Sequence, residues 1–194
     1  MSIGVVACGA LATHISSVQE KFGLDLTIYP LPPLLHNSPK KIAGEVDALL
    51  YEIKADHEKC AVAYADCGTY GALDEVLLRH GVPRLGGNHC YDLFAGKREL
   101  EEIIATTPGT YFLTDFLVKS FYRSVVVELG LDKRPELRDD YFKHYESVVW
   151  LAQNPTEDLE EQARAAAKLI GHPLTIRVVG EENLALEILK LVAD

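Results

Sequence analysis

Short apolar runs alternate along the chain with longer stretches in which apolar and polar residues follow a helical period. The short runs contain mainly Val, Ile, Leu and Ala without polar alternation, which is typical of strands covered on both faces. This pattern predicts strands at 3–7, 24–29, 60–65, 83–85, 110–114, 148–152 and 174–179. The longer stretches predict helices at 10–21, 39–55, 71–80, 97–104, 115–129, 141–145, 158–170 and 182–192.

The alternation of strands with helices determines the predicted fold class. It favours parallel strands joined by right-handed helical crossovers, and 194 residues suit one domain with its own core. We therefore predict an α/β fold that is doubly wound, with a mostly parallel sheet, helices on both faces and a single domain over residues 1–194. The pattern does not fix the order of the strands.

Charge and composition narrow the classes of partner. The net charge of -10 opposes binding to nucleic acid or to an anionic membrane surface. No apolar run is long enough to span a bilayer, and the short apolar start lacks the basic lead of a signal peptide. We expect a cytoplasmic protein with a small-molecule substrate. In that compartment the four cysteines are expected to be free, catalytic or metal-bound rather than paired.

Three of the four cysteines lie at or just beyond the carboxyl end of a predicted strand. Cys8 ends the run in VVACGA, Cys67 follows the run in YADCGT, and Cys90 lies in GGNHCY after the fourth run. The carboxyl ends of parallel strands share one edge of the sheet, where open α/β sheets bind ligands. We therefore expect these three thiols to converge. Cys60 begins its strand at the opposite end and is assigned to the core.

Glycines and predicted helix starts follow two of these cysteines. Gly9 and Gly68 permit tight turns and close approach of the backbone to a ligand. The helices that follow present unpaired N–H groups, which are expected to lower the pKa of the thiols and favour the thiolate. The alternative interpretation is that Cys8, Cys67 and Cys90 are small buried residues of the core.

Two histidines and an aspartate belong to the same predicted edge. His36 follows the second strand, His89 precedes Cys90, and Asp66 precedes Cys67. Three thiolates with an imidazole suit zinc, with His36 or His89 as the fourth ligand. Three thiolates also suit an iron–sulfur cluster whose fourth ligand is His, Asp or substrate. In a catalytic role, His89 transfers protons and Asp66 orients it.

Polar residues also follow the later strands. Asp115 is expected to cap the helix that follows it, with substrate binding as the alternative, and Gln153 and Asn154 have the same two interpretations. The charged segment 134–145 predicts a solvated helix with aromatic side chains in the core, or else a substrate cover or a homo-oligomer contact. The stretch LGGNH lacks the glycine spacing of a phosphate loop, so nucleotide binding is not expected.

Longer motifs carry a resemblance to a known family. They are ACGAL at 7–11, LHNSP at 35–39, YADCGTYGALDE at 64–75, RLGGNHCYDLFAG at 84–96, PGTYFLTDFL at 108–117 and LGLDKRPELRDDYFKHYESVVWLAQ at 129–153. The chain resembles the domain-of-unknown-function 1638 family, whose name implies no chemistry. Its members tend to occur in anaerobic bacteria and archaea, beside genes for corrinoid-dependent methyltransferases. The resemblance implies a role in one-carbon metabolism, with a corrinoid protein or methyltransferase as partner. The site positions that it favours are Cys8, His36, Asp66, Cys67, His89 and Cys90.

Three hypotheses for the function stay open, and the sequence leaves open whether the chain is an enzyme. The first is a metal-binding protein, with zinc or an iron–sulfur cluster, that activates a thiol for methyl transfer or a water for hydrolysis. The second is a metal-free enzyme in which Cys67 or Cys90 is the nucleophile and His89 the base. The third is a non-catalytic carrier that delivers a metal or cofactor to a methyltransferase.

Overall fold

The computed structural model describes residues 2–193, and its strands form two parallel sheets. The strands are β1 (Ile3–Cys8), β2 (Leu26–Leu31), β3 (Cys60–Ala63), β4 (Thr110–Thr114), β5 (Ser147–Ala152) and β6 (Leu174–Val178). Within the described residues, one sheet has the order β2-β1-β3 and the other has the order β4-β5-β6. Neighbouring strands are parallel throughout both sheets, as expected for strands joined by helical crossovers.

Helices connect and cover these strands. The α-helices are α1 (Ala12–Phe22), α2 (Pro39–Ile53), α3 (Ala72–His80), α4 (Cys90–Ala95), α5 (Lys97–Thr106), α6 (Asp115–Phe121), α7 (Arg138–Phe142), α8 (Glu157–Ile170) and α9 (Glu182–Ala193). Segments of 3-10 helix cover Pro33–Asn37 and Pro135–Leu137, and a π-helical segment covers Tyr122–Val127. Within residues 2–193, no helix combines the length and the apolar composition needed to cross a membrane.

The chain divides into two compact units, of which the first consists of Met1–Leu93 with Glu181–Asp194. Its central strand β1 has a neighbour on each side, and Val6 in that strand is fully buried. The buried residues of α2 recur at a helical period and include Val46 and Leu50, which form part of the core of this unit.

The second unit is Phe94–Gly180, and Trp150 on its central strand β5 is fully buried in the core. Phe142 of α7 is also buried, and its ring contacts that of Tyr111 with 5.7 Å between the centroids. The prediction that the segment 134–145 sends aromatic side chains into the core is therefore confirmed for Phe142.

Two predicted strands differ from the structure because of local backbone chemistry. β2 continues through Pro30 to Leu31, although the proline is predicted to end it. Since β2 is an edge strand, the missing N–H of Pro30 removes no bond to a second neighbour. The predicted strand at 83–85 forms only a single bridge, between Arg84 and Val62.

The sequence pattern misses two short helical segments in the first unit. One is the 3-10 segment Pro33–Asn37, and the other begins α4 at Cys90. Each is about two turns or less, and each follows a proline- or glycine-rich stretch, so no helical period develops. A third difference concerns the predicted helix at 115–129, which is α-helical as far as Phe121 and π-helical beyond it.

The predicted fold class is confirmed, since all-parallel sheets with connecting helices are consistent with a doubly wound α/β fold. Six of the seven predicted strands form the two sheets of three strands each. The chain contains two compact units. Whether they form the one domain predicted over residues 1–194 is not tested by this division, so that prediction stays a prediction.

Candidate functional site

Two loops are joined at the carboxyl edge of the first sheet. The Asp66 N–H donates to the Gly87 carbonyl at 3.2 Å, and the Cys67 N–H donates to the Asn88 carbonyl at 2.8 Å. These bonds tie the loop after β3 to the residues that precede α4. They hold Cys67 beside the start of the helix that Cys90 begins.

Close backbone packing surrounds the loop after β1. A Cβ atom at Gly9 would lie 2.4 Å from the carbonyl oxygen of Leu31 and 3.0 Å from the nitrogen of Pro33. Only a glycine allows this approach without movement of the backbone. In the loop after β3, Cys67 has a φ of 49° and Gly68 a φ of 81°, so the turn uses the left-handed region at both positions. The predicted roles of Gly9 and Gly68 in tight turns are confirmed.

The thiols of Cys8, Cys67 and Cys90 lie within electrostatic reach of one another. Burial raises the pKa of Cys67 to about 12, and the charge of Cys8 adds to the shift. Burial also raises the pKa of Cys90 well above its usual value, and the charges of Cys67 and Cys8 raise it further. The three residues therefore influence one another, and their convergence into one site stays a prediction.

Backbone N–H groups act on two of these thiols. The N–H groups of Ala10 and Leu11 before α1 lower the pKa of the Cys8 thiol, and the N–H of Cys90 lowers that of Cys67, as predicted. The Leu11 N–H also donates to the Cys8 carbonyl at 2.8 Å. Burial is nevertheless the larger effect and raises the pKa of Cys8 as well. The predicted net lowering of the thiol pKa is therefore wrong.

Tyr64 is a member of this cluster that sequence reasoning missed. It directly follows β3, is fully buried, and lies beside Cys8 because Ala63 pairs with Ala7 in the sheet register. Burial raises the pKa of Tyr64 above its usual range, and the neighbouring Cys8 thiol adds to the shift. The hydroxyl interacts with the Cys8 thiol, but it has no hydrogen-bond partner of ordinary geometry among residues 2–193. A tyrosine at the end of a buried strand is the sequence signal for such a hydroxyl, because a buried tyrosine hydroxyl needs a hydrogen-bond partner.

Asp66 holds the loop after β3 in shape. Its Oδ1 accepts from the Thr69 hydroxyl at 2.7 Å and the Gly71 N–H at 3.1 Å, and its Oδ2 accepts from the Gly68 and Tyr70 N–H groups at 3.2 Å each. Burial alone would raise the pKa of Asp66, but these four donors together hold it below its usual value. The carboxylate is thus engaged within its own turn rather than with His89. Its predicted catalytic role stays a prediction.

The two candidate histidines have different surroundings. His36 is half-buried in the 3-10 segment, and its Nδ1 donates to the Pro33 carbonyl at 2.7 Å. Because a carbonyl only accepts, that nitrogen carries the proton and Nε2 keeps its lone pair for a ligand. His89 is exposed; its backbone N–H donates to Asp92 at 3.0 Å, and its ring centroid is 6.2 Å from that of Tyr91.

The described residues contain no set of three His, Cys, Asp or Glu side chains already arranged around a metal position. Ionisation of any one of the Cys8, Cys67 and Cys90 thiols would raise the pKa of the others, but their side chains are not arranged around a metal position. The predicted metal ligands Cys8, Cys67, Cys90 and His36 therefore stay a prediction.

Comparison with known proteins identifies the family of the chain. A family model described as "Protein of unknown function (DUF1638)" matches residues 30–186, which is most of the chain. The chain belongs to the DUF1638 family. The matched range of the DUF1638 chain includes Cys67 and Cys90, and it begins after Cys8. Comparisons with curated proteins and with solved structures give no match.

The fourth cysteine of this DUF1638 chain lies away from the cluster. Cys60 begins β3 at the opposite edge of the sheet and is half-buried, in the wall of a cleft of about 760 Å³. Its assignment to the core is therefore wrong. A strand end that opens into a cleft exposes its first residue, which an apolar run in the sequence does not reveal.

A buried carboxylate joins two strand ends in the second unit of the DUF1638 chain. Asp115 accepts from the indole N–H of Trp150 at 2.9 Å and from the backbone N–H groups of Gln153 at 3.1 Å and Asn154 at 2.8 Å. The helix cap is Thr114, whose hydroxyl accepts from the N–H three residues later. The predicted cap is thus one residue too late, because Asp115 turns towards the end of β5 instead.

Proposed function

We propose that this DUF1638 chain binds a soft metal ion, zinc in the first instance, through the thiolates of Cys8, Cys67 and Cys90. The supporting observation is the electrostatic coupling of the buried Cys8 thiol with the half-buried thiols of Cys67 and Cys90. Thiols buried together resist ionisation, because each new negative charge raises the pKa of the others. A bound dication supplies the opposite charge and replaces the thiol protons.

The hydrogen-bond donors around the sulfur atoms favour the same state. The N–H groups of Ala10 and Leu11 lower the pKa of the Cys8 thiol, and the N–H of Cys90 lowers that of the Cys67 thiol. Hydrogen bonds to an ionised sulfur are stronger than those to a neutral thiol. These amides therefore stabilise the metal-bound thiolates more than the metal-free thiols.

Metal binding requires the three side chains to turn towards a common point. The backbone beneath them is held by the bonds from Asp66 to Gly87 and from Cys67 to Asn88, so rotation about the Cα–Cβ bonds is the movement that we propose. Asp66 contributes by keeping this loop in place rather than by binding the ion.

We assign the fourth ligand position to the Nε2 atom of His36. The bond from its Nδ1 to the Pro33 carbonyl selects the tautomer that a metal ligand needs. The exposed His89 is then left for proton transfer at the edge of the site. An iron–sulfur cluster on the same three thiolates is the alternative, and its absorption near roughly 400 nm distinguishes it from zinc.

The proposed chemistry is methyl transfer to a metal-bound thiolate, in the reducing environment of the cytoplasm. A zinc ion held by Cys8, Cys67 and Cys90 would keep a thiolate ionised as the acceptor of a methyl group from a methylated corrinoid. The S–C bond would form as the Co–C bond broke, and both electrons of the Co–C bond would remain on cobalt. A carrier without catalytic activity would bind the same metal and show no methyl transfer.

The raised thiol pKa values give less support to a metal-free cysteine nucleophile. With a pKa of about 12, Cys67 is almost entirely protonated at neutral pH. A nucleophilic cysteine needs a substantial thiolate fraction.

Titration of the metal-free protein with zinc tests this proposal, with Cys60→Ser as a matched control for Cys67→Ser. We expect the wild type and Cys60→Ser to bind about one equivalent against a chromophoric chelator, since Cys60 lies at the opposite edge. Cys67→Ser should lose at least about tenfold in affinity, because one of three thiolate ligands is missing. Equal zinc binding by all three proteins would contradict the assignment.

A further inference from the structure

The Tyr64 hydroxyl is a buried polar group directed into the cysteine cluster. Ala63 pairs with Ala7, so that Tyr64 and Cys8 are the next residues along two adjacent parallel strands. Side chains alternate between the faces of a sheet, and these two neighbours therefore point to the same side. Tyr64 is fully buried, and its hydroxyl has no partner of ordinary hydrogen-bond geometry in the described part of the chain.

A buried hydroxyl without an acceptor destabilises the state in which it is found. The candidate acceptor is the sulfur of Cys8, which is the neighbouring residue in the sheet register and acts on the Tyr64 hydroxyl. A neutral thiol is a weak acceptor, whereas a thiolate accepts a stronger and shorter hydrogen bond. The metal-free protein thus offers the buried hydroxyl only a weak sulfur contact at Cys8, and a metal-bound sulfur there would be a stronger acceptor.

We infer that the Tyr64 hydroxyl donates a hydrogen bond to the Cys8 thiolate when the site holds a metal, which makes Tyr64 a positioning residue of that ligand. This inference rests on the proposed function. The hydrogen bond orients the sulfur towards the ion and withdraws electron density from it. It therefore strengthens metal binding and weakens the electron donation of the thiolate to the metal.

The test uses Tyr64→Phe, which removes only the hydroxyl, and Tyr70→Phe as its control. Tyr70 is in the same loop but is 96% exposed, so its hydroxyl is solvated. Each protein is titrated with Co²⁺ under anaerobic conditions, because cobalt replaces zinc and reports its thiolate ligands by charge-transfer absorption. We expect Tyr64→Phe to keep the cobalt stoichiometry, to bind about tenfold more weakly and to shift these bands to lower energy. Tyr70→Phe should match the wild type.

The metal-free proteins supply a second readout that a merely structural tyrosine would not give. Loss of an unsatisfied buried hydroxyl should raise the melting temperature of metal-free Tyr64→Phe above that of the wild type. A lower melting temperature would overturn the inference, because it would show a hydroxyl already bonded without metal. Unchanged cobalt affinity and bands in Tyr64→Phe would overturn it as well. If the wild type bound no cobalt and no zinc, the proposed function itself would fail.

Discussion

Tyr64 and Asp66 are two positions apart in the chain and have opposite hydrogen-bonding states. Asp66 accepts four hydrogen bonds from its own turn, whereas the Tyr64 hydroxyl has no partner of ordinary geometry among the described residues. Buried polar groups usually have hydrogen-bond partners. The Tyr64 hydroxyl, which has none of ordinary geometry, therefore points to a ligand, whereas the fully bonded Asp66 carboxylate points to a structural role. At this scale Asp66 builds the loop, and Tyr64 is the residue that we propose to serve the site.

Asp66→Asn tests the structural role of the carboxylate. The amide keeps one acceptor oxygen and places an NH₂ group against the N–H donors that meet the other. We expect the free energy of unfolding to fall by about 1–3 kcal/mol in a denaturant titration. Asp56→Asn is the control, because Asp56 is exposed, and it should change stability by less than about 0.5 kcal/mol.

The same pair of proteins has a predicted pH dependence. The folded-state pKa of Asp66 lies below its usual value, so its contribution to stability is present above about pH 4 and is lost as the pH falls through the folded pKa. Asp66→Asn lacks this titration. The stability difference between wild type and variant should therefore narrow below about pH 4, and a constant difference would refute this role of the ionised carboxylate.

At the scale of elements, the site depends on how closely the strand ends and loops approach. The loop after β1 contacts the end of β2, where a Cβ atom at Gly9 would lie 2.4 Å from the Leu31 carbonyl oxygen. Gly44 is within α2, and a Cβ atom there would meet no atom within 4 Å. Alanine substitutions at these two glycines therefore separate the effect of a steric clash on stability from the effect of replacing glycine with alanine where there is space.

Gly9→Ala and Gly44→Ala should change stability in opposite directions. Gly9→Ala forces the backbone apart, and we expect a loss of about 1–3 kcal/mol. Gly44→Ala improves helix propensity without a clash, and we expect a gain of about 0.5–1 kcal/mol. Denaturant titration of both variants measures the contrast, and an unchanged or raised stability of Gly9→Ala would show that Gly9 is not under steric constraint.

At the scale of the whole molecule, the sequence predicts whether each main element is a strand or a helix better than it predicts which strands pair with one another. The apolar run at 110–114 coincides with β4, because a short buried strand between a turn and a helix start leaves a clear pattern. The division into two sheets depends on which strands pair across distant parts of the chain, and no local pattern encodes that choice.

The site shows the same limit. Strand ends predict that Cys8, Cys67 and Cys90 share one edge, because parallel topology alone requires it. The direction of their pKa shifts depends on the depth of burial, which follows from packing of the complete fold. The sequence does not predict that Tyr64 belongs to the cysteine cluster, because a tyrosine within an apolar run is typical of a core residue. Its unsatisfied hydroxyl is visible only in three dimensions.

Elemental analysis of the protein purified without oxygen, combined with its absorption spectrum, tests the central claim most directly. We predict about one equivalent of zinc and no visible band, with the three thiolates as ligands. Iron with a broad band near roughly 400 nm would keep the thiolate site and change its cofactor to an iron–sulfur cluster. Less than about 0.1 equivalent of any transition metal would contradict the claim, since thiolate-rich sites bind their metals tightly.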